Sequence, residues 1–183
     1  MLKKRFVAVL ILLDGQVVQS VRFKHTNVIH SDPIHAIEAL NKWSVDEIVV
    51  LNVSRNKDSR TSFANELERI SEKCFVPISA GGWITDELYA QSLLRAGADK
   101  IILNSAFFTR PSLISSLSRT YGEQCIVASM DVKQLDGSKK VWVDRGRENT
   151  LISPVEWAKR VSELGAGELL FNSIDHDGAR QGY

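Results

Sequence analysis

The sequence predicts an α/β fold built on parallel β-strands, and three observations support this prediction. Six short apolar runs alternate with five segments that have the spacing of amphipathic helices. The connections between these segments are short, as in a series of strand–helix units. The apolar runs are continuous rather than alternating, which is typical of parallel strands that are buried on both faces.

The first part of the chain contains four predicted strands and four predicted helices. Residues 6–13 form the first predicted strand, and residues 16–23 form a hairpin after the Asp14-Gly15 turn. Asp32 and Pro33 are residue types preferred at the cap and first turn of a helix. The remaining predicted elements are strands at 48–53, 75–80 and 100–103, a helix to Trp43, a helix at 59–73, a helix opened by Thr85-Asp86 with Leu88, Leu93 and Leu94 facing inward, and a helix at 111–121.

The second part of the chain contains the first candidate catalytic residue. An apolar run that begins after Glu123 ends abruptly at Asp131, and Lys133 and a polar loop follow. A hairpin through 140–143, a helix at 153–164 and a sixth strand at 169–174 complete the pattern. The carboxyl ends of parallel strands carry the chemistry of α/β folds, so Asp131 is a candidate general acid or base. A helix cap or a loop salt bridge is the alternative interpretation of Asp131.

Composition limits the classes of partner and cofactor. The 183 residues carry a formal net charge of +1, so no sequence-wide field attracts nucleic acid or an anionic membrane. No apolar run approaches the roughly 20 residues of a membrane helix, and we expect a cytoplasmic protein. Cys74 and Cys125 are predicted to be reduced and packed. The four histidines lack metal-ligand spacing, and we expect neither a metal nor a cofactor.

The chain also contains an internal repeat. Residues 7–10 and 13–18 recur as 127–131 and 136–143, and residues 46–53 recur as 167–174. Four units plus four would make a (β/α)8 TIM barrel of the duplicated half-barrel type, of which about six of eight β/α units are present. We predict a single incomplete barrel domain over 1–183, with the first half-barrel at 1–122 and the first part of the second at 123–183.

The repeat also implies that something is missing from the predicted barrel. The first and sixth strands would be left as unpaired apolar edges, which native folds avoid. The sequence is therefore predicted to be a fragment, or to be completed by another chain. A complete open sheet of six strands is the alternative.

Glycines and polar residues at strand ends predict two phosphate cradles. Gly81 and Gly82 let backbone amides approach a phosphate, and Asn104 and Ser105 follow the next strand. Asp177 and Gly178 are the candidate second cradle. The alternatives are an ordinary tight turn for the glycine pair and an ordinary Asp-Gly turn for the second site.

Four charged residues lie at or next to the starts of different predicted strands. They are Arg5, Glu47, Lys100 and Glu168. In a barrel the strand starts converge on one face, so two cations and two anions could form a closed ring of salt bridges there. Isolated solvated charges are the alternative.

Together these residues resemble the cyclase subunit of imidazole glycerol phosphate synthase, from histidine biosynthesis, over Leu2 to Tyr183. The matching points include Lys4-Arg5, Asp14-Gly15, Asp46-Glu47, Gly81-Gly82, Arg95 to Lys100, Asn104, Pro111 to Ile114, Asp131, Gly165 to Glu168, Ser173 to Asp175, Asp177-Gly178 and Gly182-Tyr183.

The resemblance implies a barrel that receives ammonia from a glutaminase subunit and has Asp99 at the partner interface. It implies that the ring of four charged residues is an ammonia gate. It also implies a phosphorylated nucleotide substrate, which is converted into imidazole glycerol phosphate and aminoimidazole carboxamide ribonucleotide.

The sequence departs from this family at four functional positions. The first of two catalytic aspartates is Ile11, and Asp131 matches the second. A family lysine is Gln19, an aspartate is Asn52, and a phosphate-loop glycine is Trp83. These departures favour an alternative function, an eroded paralogue that activates a glutaminase and passes ammonia to a separate sugar amidotransferase. A sugar-phosphate isomerase relative without a glutaminase partner is a third hypothesis.

Overall fold

The computed structural model describes residues 4–180, so Leu2, Gly182 and Tyr183 of the predicted likeness lie outside the described residues. The ten strands are β1 (Val7–Leu13), β2 (Gln16–Val21), β3 (His25–His30), β4 (Glu47–Asn52), β5 (Ile78–Gly81), β6 (Lys100–Leu103), β7 (Ile126–Leu135), β8 (Ser138–Val143), β9 (Glu148–Asn149) and β10 (Glu168–Ser173). The helices are α1 (Pro33–Lys42), α2 (Ser59–Ser71), α3 (Glu87–Arg95), α4 (Ala106–Thr109), α5 (Pro111–Tyr121) and α6 (Pro154–Glu163), with a 3-10 turn at Glu123–Cys125.

The chain forms two compact units. Unit 1 contains the residues up to Gln19 together with Asn27–Ile101, and unit 2 contains Ser20–Thr26 together with the residues from Ile102 onward. The predicted division into half-barrels at 122/123 stays a prediction.

The parallel strands of unit 1 lie in the order β1, β4, β5. Val7 pairs with Glu47 and Ile11 with Leu51 in the β1–β4 ladder, and β5 continues on the other side of β4. β2 returns antiparallel along β1 after the Asp14-Gly15 turn, as predicted. The helices α1, α2 and α3 supply apolar side chains to a core whose fully buried members include Ile37, Ile48, Leu67, Ile70 and Leu93.

Unit 2 is built around β7. β10 runs parallel to β7 on one side, and β8 runs antiparallel to it on the other, followed by β9. The helices α5 and α6 pack on these strands. The largest fully buried side chains of this unit are Trp157, Phe107, Leu103, Ile114 and Leu117.

Side-chain caps explain where three helices begin. The sequence predicted the cap at Asp32 and the starting points of the other two helices. The Asp32 carboxylate accepts a hydrogen bond from the backbone N–H of Ile34 at 3.0 Å, with Pro33 in the first turn. The Asp86 carboxylate accepts from the backbone N–H of Tyr89 at 2.9 Å in the same way. The Ser153 hydroxyl caps α6.

Several local predictions were wrong. Leu88 does not face the core, because it is 80% exposed while its neighbour Tyr89 is buried. The third predicted strand begins at Ile78 rather than at residue 75, since Pro77 has no N–H for the ladder. The strand that was predicted to end at Asp131 runs on to Leu135 as one arm of the hairpin. The strand β3 and the short helix α4 were not predicted.

The predicted apolar edges are present in both units. On β1, Val7 is 39% and Val9 is 50% exposed, and the second side of this strand is paired to β2 only from Ile11 to Leu13. On β10, Leu169 and Phe171 are nearly half exposed. Within the described part of the chain, no helix combines the length and apolar character needed to cross a lipid bilayer.

Candidate functional site

Asp131 is a buried carboxyl group of unit 2 that is surrounded by polar side chains. Its carboxyl group is 7% exposed and accepts two side-chain hydrogen bonds, from Asn104 Nδ2 at 2.8 Å and from Asn172 Nδ2 at 3.3 Å. Burial raises the pKa of Asp131 to about 6, the two asparagines oppose this shift, and the negative charge of Asp177 adds to it. A carboxyl group with a pKa near 6 can both accept and release a proton close to neutral pH.

The β-ladders of unit 2 explain which side chains surround Asp131. Asp131 is the residue opposite Asn172 on β10 and opposite Trp142 on β8. Residues directly opposite each other point to the same face of a sheet, so these three side chains form one row. Asn104 enters from the segment after β6 and completes the pocket.

The same ladder position in unit 1 is apolar. The internal repeat aligns Ile11 with Asp131 and Leu51 with Asn172, and in the structure Ile11 pairs with Leu51 as Asp131 pairs with Asn172. Unit 1 therefore has an apolar pair where unit 2 has a carboxyl group and its hydrogen-bond donor.

The residues predicted to bind phosphate in unit 2 make hydrogen bonds within the protein. Ser105 Oγ accepts a hydrogen bond from the backbone N–H of Asp144 at 3.1 Å, and Asn104 donates to Asp131 as described. The Asp177 carboxylate accepts from Ser20 Oγ at 2.6 Å and from the backbone N–H of Phe23 at 3.1 Å. A Cβ at Gly178 would collide with the Ser20 carbonyl oxygen, so this turn needs a glycine.

In unit 1, Gly81 ends β5 and Gly82 adopts a φ of +115°. A Cβ at Gly82 would collide with the backbone carbonyl oxygen of Asn52, so only glycine fits there. Trp83 also has a positive φ, and its indole N–H donates to the Ser54 carbonyl oxygen at 2.8 Å. The indole is therefore fixed by a hydrogen bond to the segment that follows β4. Phosphate binding by Gly81 and Gly82, and by Asn104, Ser105, Asp177 and Gly178, stays a prediction.

Three of the four residues of the predicted ion ring meet in unit 1. The buried Glu47 carboxylate accepts from Lys100 Nζ at 3.1 and 3.2 Å and from Arg5 at 3.2 Å. Ser79 is the third donor residue, and its hydroxyl donates a hydrogen bond to Glu47 at 2.6 Å. Sequence reasoning missed Ser79. Glu168, the fourth predicted member, begins β10 in unit 2, opposite Val127.

Asp99, predicted to lie at a partner interface, also ties two segments of unit 1 together. Its carboxylate accepts a hydrogen bond from the backbone N–H of Ile78 at 2.8 Å, and its own N–H donates to the Ile78 carbonyl oxygen at 2.8 Å. The residue is exposed. Among residues 4–180, no group of three or more His, Cys, Asp and Glu side chains could hold a metal ion.

Asn172 was not predicted as a site residue, although the repeat contained a signal for it. The position equivalent to Asn172 in the first copy is Leu51. A change from leucine to asparagine beside the strand that gains Asp131 indicates a hydrogen-bond partner for that carboxyl group.

Comparisons with known proteins identify relatives over the whole chain. The model of a family described as "Histidine biosynthesis protein" matches residues 5–183. Imidazole glycerol phosphate synthase subunit HisF of Bacillus cereus (strain G9842) is 39% identical over 184 residues, covering 100% of this chain and 73% of the relative. The protein of the same name from Natranaerobius thermophilus is 37% identical, covering 100% of this chain and 72% of the relative. That from Alkaliphilus metalliredigens is also 37% identical, with 100% and 73% covered.

Proposed function

The chain belongs to the histidine biosynthesis protein family and, within it, to the HisF subunits of imidazole glycerol phosphate synthase, and from this membership we propose that Asp131 is the general acid and base of its cyclase reaction. The predicted function in histidine biosynthesis and the predicted (β/α)8 fold class are confirmed at the level of the family. The relatives do not favour the alternative, a paralogue that serves a separate sugar amidotransferase.

The single observation that carries the catalytic proposal is the buried Asp131 carboxyl group with its two amide donors and its raised pKa. Closing an imidazole ring with ammonia requires a base to take a proton from the attacking nitrogen and an acid to protonate the departing one. With Ile11 in place of a first aspartate, one carboxyl group performs both transfers in sequence. A pKa of about 6 leaves roughly one-tenth of Asp131 protonated at pH 7, so both forms are present.

Asn104 and Asn172 hold the carboxyl group in a fixed orientation. Each donates through its amide nitrogen to a different oxygen of Asp131. Two donors stabilise the ionised form and keep the pKa from rising further in the buried pocket. We assign Asn104 and Asn172 as positioning residues for this reaction.

The proposal includes a glutaminase subunit as the source of ammonia and a phosphorylated nucleotide as the substrate. The phosphate groups are assigned to Gly81, Gly82, Asn104 and Ser105 and to Asp177 and Gly178. The charged residues Arg5, Glu47, Lys100 and Glu168 are assigned to the passage of ammonia, and Asp99 to the glutaminase interface. The compartment is the cytoplasm.

The catalytic role can be tested by substitutions on the two equivalent ladder positions. Asp131→Asn should reduce ammonia-dependent turnover by about 100-fold or more, since it removes the proton-transfer group. In unit 1, Ile11→Asp should be combined with Leu51→Asn, because the aspartate then gains the donor that Asn172 provides in unit 2. The double variant should exceed wild-type turnover. Wild-type turnover in Asp131→Asn would overturn the proposal.

Growth provides an independent test of the whole reaction. Expression of the protein should rescue a histidine auxotroph that lacks its own cyclase, and Asp131→Asn should not. Rescue by both would show that Asp131 is dispensable.

The ammonia route can be tested separately from docking. Lys100→Ala removes one cation bound to Glu47. The variant should keep glutaminase binding and ammonia-dependent turnover but lose glutamine-dependent turnover. Equal glutamine- and ammonia-dependent rates in this variant would contradict the gate.

A further inference from the structure

The Ser105 hydroxyl lies in a chain of hydrogen bonds that ends at Asp131. Asn104 donates to Asp131 Oδ2 through its amide nitrogen at 2.8 Å. At the other end of the same amide, Asn104 Oδ1 accepts a hydrogen bond from the Ser105 hydroxyl at 3.3 Å. Ser105 Oγ in turn accepts the backbone N–H of Asp144 at 3.1 Å. The three donors therefore follow one another in a single direction, from the segment between β8 and β9 to the buried carboxyl group.

The Ser105 hydroxyl does not cap the helix that follows it. Ser105 directly precedes α4, a position where a serine hydroxyl commonly accepts a backbone N–H of the first helical turn. Here Ser105 itself has helical backbone angles, φ −58° and ψ −24°, and within the described chain its side chain caps no N–H of α4. The hydroxyl is directed instead to the side chain of the adjacent Asn104. Helix capping therefore does not account for this serine.

The turn between β8 and β9 determines where the Ser105 proton points. Asp144, Arg145 and Gly146 all have positive φ, at 46°, 60° and 73°. A Cβ at Gly146 would lie 2.8 Å from Ile174 Cδ1, so the turn is tightly packed. This turn brings the Asp144 N–H to Ser105 Oγ. A hydroxyl group has one proton and two lone pairs, so with Asp144 bound to a lone pair the proton is donated to Asn104.

The chain of donors acts on the ionisation of Asp131. A hydroxyl that donates to an amide oxygen polarises the amide and strengthens the hydrogen bonds that its N–H groups donate. A stronger donor stabilises the ionised carboxyl group and so lowers the pKa of Asp131. The Ser105 hydroxyl also keeps the amide nitrogen of Asn104 facing Asp131, because a reversed amide would lose this donor.

The charged groups near the chain of donors do not supply this effect. Among the described residues, Asp177 is the charged side chain that shifts the pKa of Asp131, and it raises this pKa. Asn172 and Trp142, opposite Asp131 on β10 and β8, carry no charge. The Asp144 carboxylate lies 3.7 Å from Arg147. Neutral hydrogen-bond donors are therefore what oppose the rise in pKa.

We propose that Ser105 is a positioning residue for the acid–base reaction and acts on Asp131 through the side-chain amide of Asn104. This inference rests on the proposed function of Asp131. The hydroxyl has a single proton, so donation to Asn104 and donation to a phosphate exclude each other. The two roles of Ser105 therefore predict different kinetics.

The pKa of Asp131 in the full chain, measured by NMR titration of its carboxyl carbon, tests the inference. Ser105→Ala should raise this pKa by about 0.5, and Asn104→Ala should raise it further because the whole donor is lost. On the Asn104→Ala background, Ser105→Ala should have no additional effect. Ser105→Thr keeps the hydroxyl and should retain the wild-type pKa. Ser115→Ala is the matched control, because Ser115 is a partly buried serine of unit 2 whose hydroxyl donates to the Leu164 carbonyl oxygen at 3.5 Å.

Kinetics with ammonia as the nitrogen source distinguish positioning from phosphate binding. In Ser105→Ala the acidic limb of the pH profile of kcat/KM should move to higher pH with the pKa of Asp131. Turnover should then fall about twofold near pH 6 and change little near pH 8, with an unchanged KM. A raised KM at every pH, with an unshifted acidic limb, would show that Ser105 only binds phosphate and would overturn the inference.

The outcomes also separate the inference from the proposed function. An unchanged pKa of Asp131 in Ser105→Ala, or a rise that persists on the Asn104→Ala background, would overturn the positioning role and leave the role of Asp131 intact. Wild-type turnover in Asp131→Asn would overturn the proposed function, and the positioning role with it, even if the pKa of Asp131 responds to Ser105.

Discussion

Neutralising Glu47 should destabilise the protein strongly, because this carboxylate balances a cation in the interior of unit 1. Glu47 is 3% exposed and accepts hydrogen bonds from Lys100, Arg5 and Ser79. Glu47→Gln keeps the shape of the side chain and removes its charge. The Lys100 ammonium, whose side chain is 15% exposed, would then lie beside a neutral amide.

The expected magnitude follows from the exposure of each partner. Breaking a buried ion pair by removing one charge costs about 3–5 kcal/mol, and Lys100 is buried enough to place its share near the lower end of that range. The Arg5 side chain is 53% exposed, so its share is at most about 1 kcal/mol. The Ser79 hydroxyl can still donate to the amide oxygen. We expect Glu47→Gln to lower the free energy of unfolding by about 3 kcal/mol.

Urea denaturation at pH 7 measures this loss directly. Glu66→Gln is the matched control, because Glu66 pairs at 2.8 Å with Arg69, whose side chain is 56% exposed to solvent. That control should cost at most about 0.5 kcal/mol. If Glu47→Gln lowers the free energy of unfolding by less than about 1 kcal/mol, or by no more than the control does, then the Glu47–Lys100 ion pair is not shielded from solvent and the reasoning is refuted.

Three further predictions concern single residues. The pKa of Asp131 is about 6 in the folded protein and about 4 in the unfolded chain, so between these pH values the folded protein binds one more proton. The free energy of unfolding of the wild type should therefore fall as pH rises from about 4 to 6. Urea denaturation of Asp131→Asn should not show this fall. Trp142→Phe should change the free energy of unfolding by less than about 1 kcal/mol, because it removes a buried indole N–H that has no acceptor among the described residues; a loss above 2 kcal/mol would contradict this. Asp86→Ala should cost about 1–2 kcal/mol, since it removes the cap on Tyr89 and the 2.7 Å contact with Arg60, whereas Asp86→Asn keeps the cap and should lose less than half as much in the same assay.

The elements that the sequence predicted well are those with local causes. The helix that starts after Asp32 was predicted because its cap and its proline are adjacent in the chain. The strand leading to Asp131 was predicted because a continuous apolar run needs no distant partner to be recognised. Leu88 was placed on the wrong side of its helix, since apolar spacing alone did not distinguish it from Tyr89.

The contacts of the site were harder to predict because they join distant parts of the chain. Asn104 is predicted to bind phosphate, but the hydrogen bond from its side-chain amide to Asp131, 27 residues away, was not predicted. The Asp177 carboxylate accepts from Ser20, 157 residues away. Residue type and strand position predicted only that these side chains lie near the carboxyl ends of strands. The direction of each side chain depends on the packing of neighbouring strands, which no local pattern encodes.

The two units show how one repeated framework can hold different chemistry at equivalent positions. Burying a carboxyl group at the Asp131 position is unfavourable in free energy, and Asn172, opposite it on β10, reduces this penalty by donating a hydrogen bond. In unit 1 the equivalent pair is Ile11 and Leu51, which needs no such donor. The absence of a carboxylate and the absence of an amide donor therefore go together in unit 1, because an aspartate in place of the partly buried Ile11 would face Leu51 and lack the hydrogen bond that Asn172 provides in unit 2. Unit 1 instead holds buried charge in the cluster around Glu47, whereas the acid–base function that we propose rests on Asp131 in unit 2.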